Sequence, residues 1–235
     1  MPKRRSARVI GQLALVLALV LLLWLPTAQA DSPATTRVSV DSSGAQSDGS
    51  SSASSISADG RFVAFDSDAT NLVDGDTNGF ADIFVHDRQT DKTTRVSVRS
   101  DGTEGNGSSY NPSTSADGRF VAFDSNATNL VTGDTNGWYD IFVRDRQMAT
   151  TARVSVDSAA AQGNGNSGGA SISGDGRYVA FQSDATNLVT GDTNGRVDIF
   201  VHDRQTGTTD RVSVDSAGTE GNGSSKYPSI SATGV

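Results

Sequence analysis

Two kinds of short segment, which recur along the chain, carry large apolar residues on both faces. The segments between them are polar. Residues 119–123 are Arg-Phe-Val-Ala-Phe, and residues 140–145 are Asp-Ile-Phe-Val-Arg-Asp. Such runs predict strands that are covered on both faces. A short extended piece at 112–115 and an alternating strand at 152–156 complete a set of four, and no stretch has a helical period. The pattern therefore predicts a four-stranded antiparallel sheet joined by tight Asp-Gly and Asn-Gly turns.

This set of strands recurs at a fixed spacing. Asp59-Gly60-Arg61 is repeated at Asp117-Gly118-Arg119 and at Asp175-Gly176-Arg177, and the step from 59 to 117 to 175 is a period of 58 residues. A fixed period indicates one supersecondary unit copied in tandem, in which each copy covers its neighbour. We therefore expect an all-β fold of four-stranded antiparallel blades stacked as in a β-propeller. The expected blades span approximately residues 53–98, 111–156 and 169–214, with partial strands at 36–40 and 227–235.

The number of blades is unusual for this architecture. Three full 58-residue repeats with partial blades at both ends fall short of the roughly four to eight blades of a closed propeller. The sequence therefore predicts an incomplete propeller, which is part of a longer protein, a truncated product, or a chain that self-associates through open blade faces.

The first 30 residues have the features of an export signal. An apolar run at 13–25 is followed by Pro26 and by Ala28-Gln29-Ala30, which fits the small-x-small cleavage rule. The basic residues before the run are Lys3, Arg4, Arg5 and Arg8. A run of this length is shorter than the roughly 20 residues that span a bilayer. We expect a signal peptide at 1–30, a propeller segment at 31–235, and a secreted, periplasmic or cell-surface protein that is not inserted in the membrane after cleavage.

Charge and cysteine content exclude several classes of function. The full chain has a net charge of -8, and removal of four basic and no acidic residues with the signal takes it to -12. Nucleic acids and anionic lipids require basic surfaces, so neither is expected as a partner. The absence of cysteine excludes disulfides, thiolate nucleophiles and cysteine zinc sites.

Three motifs in each copy resemble a known family. They are Pro-Ser-x-Ser-x-Asp-Gly-Arg-aromatic-Val-Ala-Phe-x-Ser, then Asp-Ile-Phe-Val-x-Asp-Arg-Gln, then Arg-Val-Ser-Val. Together they resemble the WD40-like, TolB-type (PD40) β-propeller repeat of bacterial exported proteins, over nearly all of residues 36–235. The resemblance implies a propeller fold, and it implies a function no narrower than that of periplasmic binding proteins, peptidase-associated propellers and other secreted chains.

The loop of the first copy that begins at Asp74 has the oxygen-bearing side chains of a calcium loop. The candidate ligands at positions 1, 3, 5 and 9 are Asp74, Asp76, Asn78 and Asp82. With glycine at position 6, this spacing matches the start of an EF-hand loop and resembles the calcium loops of integrin-type FG-GAP propellers. The other copies have threonine at position 1, and valine replaces the glutamate at position 12. The alternative is a tight Asn-Gly turn whose flanking Asp residues hydrogen-bond the turn backbone.

Two further sets of residues are candidate sites. Trp138 and Tyr139 occupy a slot that varies between copies, where a repeat protein can place binding specificity, although a loop aromatic that covers its own blade is an equal alternative. His86 and His202 take equivalent positions, with Arg144 between them, which predicts a solvent-facing strand position.

No catalytic residues emerge from the sequence. Residues 165–169 fit Gly-x-Ser-x-Gly but lack the strand before and the helix after that this motif requires. Asp87, Asp145 and Asp203 recur in every copy, as structural turn residues do. We therefore expect an exported, non-enzymatic scaffold that binds a protein or a carbohydrate. The alternatives are a calcium-stabilised surface or adhesion module, and the propeller part, catalytic or not, of a secreted hydrolase.

Overall fold

Twelve strands form three four-stranded antiparallel sheets in residues 35–234, the part of the chain that the computed structural model describes. The first sheet contains β1 (Ser51–Ile56), β2 (Phe62–Ser67), β3 (Asp82–Asp87) and β4 (Lys92–Arg95). The second contains β5 (Ser109–Thr114), β6 (Phe120–Ser125), β7 (Asp140–Asp145) and β8 (Thr150–Arg153). The third contains β9 (Ser167–Ile172), β10 (Tyr178–Ser183), β11 (Asp198–Asp203) and β12 (Thr208–Arg211). The predicted signal peptide at 1–30 lies outside the described residues.

The two central strands of each sheet carry the apolar residues on both faces. In the second sheet β6 pairs with β7 so that Phe123 lies opposite Phe142, with ring centroids 6.0 Å apart. Both rings are buried, as are Phe181 and Phe200 of the third sheet. The prediction that these two-sided strands are covered is confirmed for most of their large apolar residues, and none of them is exposed. The half-buried ones are Phe62, Phe120, Tyr178, Ile199 and Val201.

The core lies between successive sheets. The second sheet packs through Phe123 and Phe142 against apolar residues of the first blade. These are Ile83 and Val85 of β3, and Val96, which follows β4. The second and third sheets meet in the same way one copy later. Sheets that are apolar on both faces and stacked face to face are the blades of a propeller. The predicted all-β propeller arrangement is confirmed, with three blades in the described range.

The strand bounds differ from those predicted at both ends of each blade. The second sheet spans 109–153 rather than 111–156, because the alternating segment 152–156 leaves the sheet after Arg153. Beyond that point Val156 forms only an isolated bridge with Gln162. The predicted partial strands at 36–40 and 227–235 are likewise not strands: Val40 forms a single bridge with Gln46, and residues 227–234 contain none.

A backbone ladder joins the turns of successive copies. The amide N–H of Ala58 donates to the carbonyl of Ala116, and the N–H of Ala116 donates to the carbonyl of Gly174, each over 2.9 Å. In the second copy the turn packs closely on the first sheet, because Gly118 has a φ of 68° and a Cβ there would meet the Phe62 ring at 2.3 Å. Only glycine fits this position without displacing the ring.

Every first strand contains a bulge at the same place. The register between first and second strand shifts there in all three sheets. The equivalent residues Ala53, Asn111, Gly169 and Tyr227 all have positive φ, between 34° and 61°. A bulge of this kind re-aims side chains at a sheet edge. Because the first strands contact one another, the bulges bring residues of successive copies together.

Candidate functional site

Three arginine clusters, centred on Arg95, Arg153 and Arg211, lie where the last strand of each sheet meets the Asn-Gly loop. In the first cluster Nη1 of Arg95 lies 3.0 Å from Asp76, 3.1 Å from Asp82 and 3.0 Å from Glu104. Burial raises the pKa of Asp76 and of Asp82, and the guanidinium opposes that rise. The cluster is therefore a nearly water-free ion network whose positive charge comes from the chain itself.

The proposed calcium ligands fall partly in this first cluster. Asp76 and Asp82 converge as expected, and Asn78 donates from Nδ2 to Asp82 over 3.0 Å. Asp74 is exposed and has no ion pair with Arg95. The guanidinium thus lies among three carboxylates, and a cation at this place would have to displace Arg95. In residues 35–234 no three or more His, Cys, Asp or Glu side chains are arranged as a metal site while Arg95 occupies this place.

The Asn-Gly loops adopt the shared turn that the sequence predicted. The glycine after the asparagine has a φ of 70°, 69° and 60° in Gly79, Gly137 and Gly195. Each asparagine donates to the buried aspartate four positions later. The second cluster contains Gln162 where the first has Glu104, so it holds one carboxylate fewer.

The recurring aspartates at the ends of the third strands are structural, as predicted. Arg61 donates to Asp87 from Nε over 2.8 Å and from Nη2 over 2.7 Å, and the same bidentate pair joins Arg119 to Asp145. The hydrogen bond from Arg61 is the main reason that the pKa of Asp87 lies well below its usual range. These pairs tie the turn after each first strand to the end of the third strand.

The prediction of a solvent-facing position at His86 is wrong. His86 and His202 are only 4% and 6% exposed, and Arg144 is 9% exposed. Each histidine Nδ1 lies within hydrogen-bond distance of a threonine hydroxyl on the last strand, Thr93 for His86. The segment that precedes each blade covers this position, since Thr93 Oγ1 also donates to the carbonyl of Val40. The exchange of His for Arg between copies does not show that another segment of the chain covers this position.

Trp138 and Tyr139 have different environments. Trp138 is 46% exposed and does not line the cavity beside Tyr139. Tyr139 is half-buried beside Tyr110, with ring centroids 6.5 Å apart and planes inclined by 34°. Burial, and then Tyr110, raises the pKa of Tyr139. The structure therefore separates the two residues that the sequence had joined in one slot.

The tyrosine pair lines a cavity of about 660 Å³, which we call the inner pocket, where the first strands of the second and third copies meet. The side chains that distinguish the inner pocket are those of Tyr110, Asn111, Asp124, Tyr139, Gln182 and Tyr227. A cavity of this size is typical of a small-ligand or side-chain site. It also contains Gly168 and Gly169 of the bulge, so the Gly-x-Ser-x-Gly motif forms part of its wall and not a nucleophile turn.

Asp124 is the buried charged residue in the wall of the inner pocket, whereas Asp184 and Lys226 of the lining are exposed. It is 5% exposed and accepts hydrogen bonds from Asn111 Nδ2 over 3.1 Å and from the amide of Gly169 over 3.3 Å. Burial raises its pKa to about 6, against the effect of these two hydrogen bonds. Gln182 takes the equivalent position one copy later and accepts from the amide of Tyr227 over 2.9 Å.

The copies differ at several positions of the inner pocket. At the position of Tyr110 the other copies have Ser52, Gly168 and Lys226. At the position of Tyr139 they have alanine and valine, and at that of Asp124 the third copy has glutamine. Sequence reasoning noticed only Tyr139. An alignment of the copies shows the variation at the other positions. It does not show that these residues line one pocket, because that depends on the bulges.

Comparisons with known proteins bear on the fold. No protein-family model and no curated protein matches the chain. Among solved structures it is similar to TolB from Acinetobacter baumannii, with 20% identity and a TM-score of 0.48 over 79% of this chain and 36% of that one. It is also similar to a protein assigned as TolB from Agrobacterium tumefaciens, with 19% identity and a TM-score of 0.44 over 69% of this chain and 45% of that one.

A third similar structure is the β-propeller domain of the Trilobed protease from Pyrococcus furiosus, with 11% identity and a TM-score of 0.41 over 69% of this chain and 41% of that one. The chain thus spans less than half the length of these proteins. In residues 35–234 no helix is long and apolar enough to cross a membrane. The three stacked antiparallel sheets and the repeat motifs give the chain an incomplete β-propeller fold, and TolB proteins are among the structures with which it shares similarity.

Proposed function

We propose that the protein is an exported, non-enzymatic propeller scaffold that binds a protein or carbohydrate ligand in the inner pocket. The observation that supports this is the divergence of the copies at Tyr110, Asn111 and Tyr139, in a molecule whose arginine–aspartate pairs recur in every copy. Residues that a repeat protein needs for stability recur in each copy, whereas a ligand site requires groups placed once.

The non-enzymatic part of the proposal is supported by the positions of the two histidines. His86 and His202 are held by threonines in buried positions between strands, and neither lines the inner pocket. A hydrolase site would need a nucleophile within reach of a base, and Asp124 is the only strongly buried ionisable group in the lining.

A double variant tests the site. Tyr110→Ser with Tyr139→Ala installs the residues of the first copy, which that copy accommodates. We expect ligands found on oligosaccharide and peptide arrays to bind this variant at least about tenfold more weakly, because two aromatic walls are lost. Trp138→Phe, again the residue of the first copy, is the matched control and should bind as the unmodified protein does. Equal binding by the double variant, or no binding by any array member, would overturn the proposal.

Calcium binding at the first Asn-Gly loop remains a second proposal. It is supported by the three carboxylates of Asp76, Asp82 and Glu104 around one guanidinium, which leave the cluster negative. Titration calorimetry at millimolar calcium should detect uptake by the full chain, and Glu104→Gln, the residue of the second copy, should weaken it. No heat of binding in the unmodified protein would exclude the calcium module.

Export and self-association complete the proposal. Export is tested by sequencing the amino terminus of the protein recovered outside the cytoplasm, where a start at Asp31 is expected. Self-association is supported by Val212 and Val214, which are 50% and 38% exposed, whereas the equivalent Val154 and Val156 are 2% and 8% exposed. Exposed apolar positions of this kind favour association, and a concentration-independent monomer in sedimentation would contradict it.

A further inference from the structure

The carboxylate of Asp124 differs from nearly all other buried carboxylates in this molecule. Eight aspartates are buried in the described range. Six of them have an arginine nitrogen within 4.0 Å: Asp82, Asp87, Asp140, Asp145, Asp198 and Asp203. Asp66 and Asp124 have no such partner in residues 35–234, and only Asp124 lines the inner pocket. A buried carboxylate without a countercharge is costly, so this one requires an explanation.

The hydrogen bonds that Asp124 accepts leave part of its capacity unused. Asn111 Nδ2 and the Gly169 amide both approach Oδ1, while Oδ2 has only a 3.4 Å contact with Asn111. An ionised carboxylate has about four acceptor directions. Donors that are neutral, moreover, do not supply the missing positive charge. Oδ2 is therefore able to accept a further, charged donor from the cavity.

The aromatic rings beside Asp124 are suited to the same kind of ligand. Tyr110 and Tyr139 line the cavity, and Tyr227 lies at its rim with 86% exposure. The faces of such rings attract cations, most strongly where water is displaced. A sugar would use the rings and the hydrogen-bond acceptors, but it would leave the charge of Asp124 unpaired. The combination of rings and a carboxylate without a countercharge favours a cation over a neutral ligand.

We propose that the inner pocket binds the cationic side chain of a lysine or arginine in a peptide, with the charged group paired to Asp124 and the stem against Tyr110 and Tyr139. The inference rests on the proposed function and names its ligand class. A peptide side chain also fits the volume of about 660 Å³, which is smaller than a folded partner would require.

The test compares two probes that differ only in charge. Nα-acetyl-lysine methylamide and Nα-acetyl-norleucine methylamide have similar apolar stems, but only the first carries an ammonium. In a titration followed by the NMR signals of Tyr139 and Trp138, the lysine probe should bind at least about tenfold more tightly, as expected for one charge-assisted hydrogen bond. Chitotriose, a neutral oligosaccharide, serves as the carbohydrate probe.

The chain supplies matched variants for the same experiment. Asp124→Gln installs the residue that the third copy has at this position, and it should weaken binding of the lysine probe about tenfold or more. Asp66→Gln makes the same change in the first copy, outside the pocket lining, and should leave binding unchanged. Lys226→Met removes an exposed ammonium at the rim and should leave binding equal or stronger.

The outcomes separate the inference from the function on which it rests. Equal binding of both probes, an unaffected Asp124→Gln variant, or weaker binding in Lys226→Met would overturn the cation site. Binding of chitotriose that depends on Tyr110 and Tyr139, without binding of the lysine probe, would overturn the inference and leave the proposed function intact. If no probe or array ligand binds, both fail.

Discussion

The arginine clusters and the inner pocket both hold carboxylates away from water, but only the clusters supply the countercharge. Arg153 lies within 3.2 Å of both Asp134 and Asp140, and equivalent contacts recur in the other two copies. Asp124 has neutral donors and no arginine. The arginine–aspartate contacts recur in all three copies, whereas the unpaired carboxylate of Asp124 is replaced by Gln182 in the third copy. Carboxylate removal should therefore have opposite effects on stability at the two places.

The largest effect is expected in the second arginine cluster. Arg153→Met leaves Asp134 and Asp140 buried without their cation, and breaking a buried pair in this way costs about 3–5 kcal/mol. Urea unfolding measures the loss. Arg99→Met, which removes an exposed pair with Asp101 at 3.7 Å, should cost at most about 1 kcal/mol. Similar losses in both variants would mean that the cluster contributes no more to the free energy of unfolding than an exposed ion pair does.

Removal of the charge of Asp124 in the inner pocket should raise the free energy of unfolding, whereas Arg153→Met lowers it. Burial raises the pKa of Asp124 from 3.8 to about 6, so the folded protein binds this proton more tightly than the unfolded chain does. Stability is then lost as pH rises from about 4 to about 6. Asp124→Asn removes the charge and should stabilise the protein by up to about 3 kcal/mol at pH 7.5, with no gain below pH 4.

The groups around Asp124 and a matched variant refine this expectation. Asp66 adds slightly to the rise in the pKa of Asp124, and Tyr139 and the exposed Lys226 also line or approach the cavity. Asp145→Asn should instead destabilise the protein above pH 4, because Arg119 holds the pKa of Asp145 below its usual range. That contribution is lost as pH falls through the folded pKa. Asp145 lies outside the arginine clusters, so destabilisation by both variants at pH 7.5 would remove the contrast between buried carboxylates with and without an arginine partner.

A smaller effect is expected at the turns that stack successive copies. Gly118→Ala places a Cβ 2.3 Å from the Phe62 ring, whereas Gly133→Ala meets nothing within 4 Å. Both glycines have positive φ, so both variants carry the same backbone strain. Unfolding experiments should therefore show an additional loss of about 1–3 kcal/mol for Gly118→Ala, from overpacking alone. Equal losses would show that the turn can move away from the first sheet.

The fold was predictable because its signals are local and repeated. The run Asp-Ile-Phe-Val-Arg-Asp predicted β7 at Asp140–Asp145 with the correct bounds. The segment 152–156 was placed in a strand to its end, because its alternation does not show where pairing with the third strand stops. The buried position of His86 was missed since the segment that covers it belongs to another part of the chain.

The inner pocket was less predictable for a similar reason. Its residues come from all three blades and from the segment that follows the third, and the distance in sequence between Tyr110 and Tyr227 conceals their proximity. The bulge that aims them at one another has no fixed residue type, because alanine, asparagine, glycine and tyrosine all take the positive φ. The unpaired carboxylate of Asp124, which Asp66 shares, together with the tyrosine pair of Tyr110 and Tyr139, which the first copy lacks, distinguishes the pocket from the rest of the sheet edge.

The smallest effect on stability, and the one most informative about the inner pocket, is expected for Tyr139. In Tyr139→Val the side chain becomes that of Val197 in the third copy. The hydrogen bond that the backbone N–H of residue 139 donates to Asn166 Oδ1, and the one that its carbonyl accepts from the Ser167 N–H, remain available. We expect a change below about 1 kcal/mol in the free energy of unfolding, because the ring is half-buried at the cavity wall and does not belong to the core. Binding of the lysine probe should nevertheless be weakened, since a cation would lose one ring face. A loss of stability above about 2 kcal/mol would show that Tyr139 packs the blade, and the divergence of the copies would then reflect repacking and not a ligand.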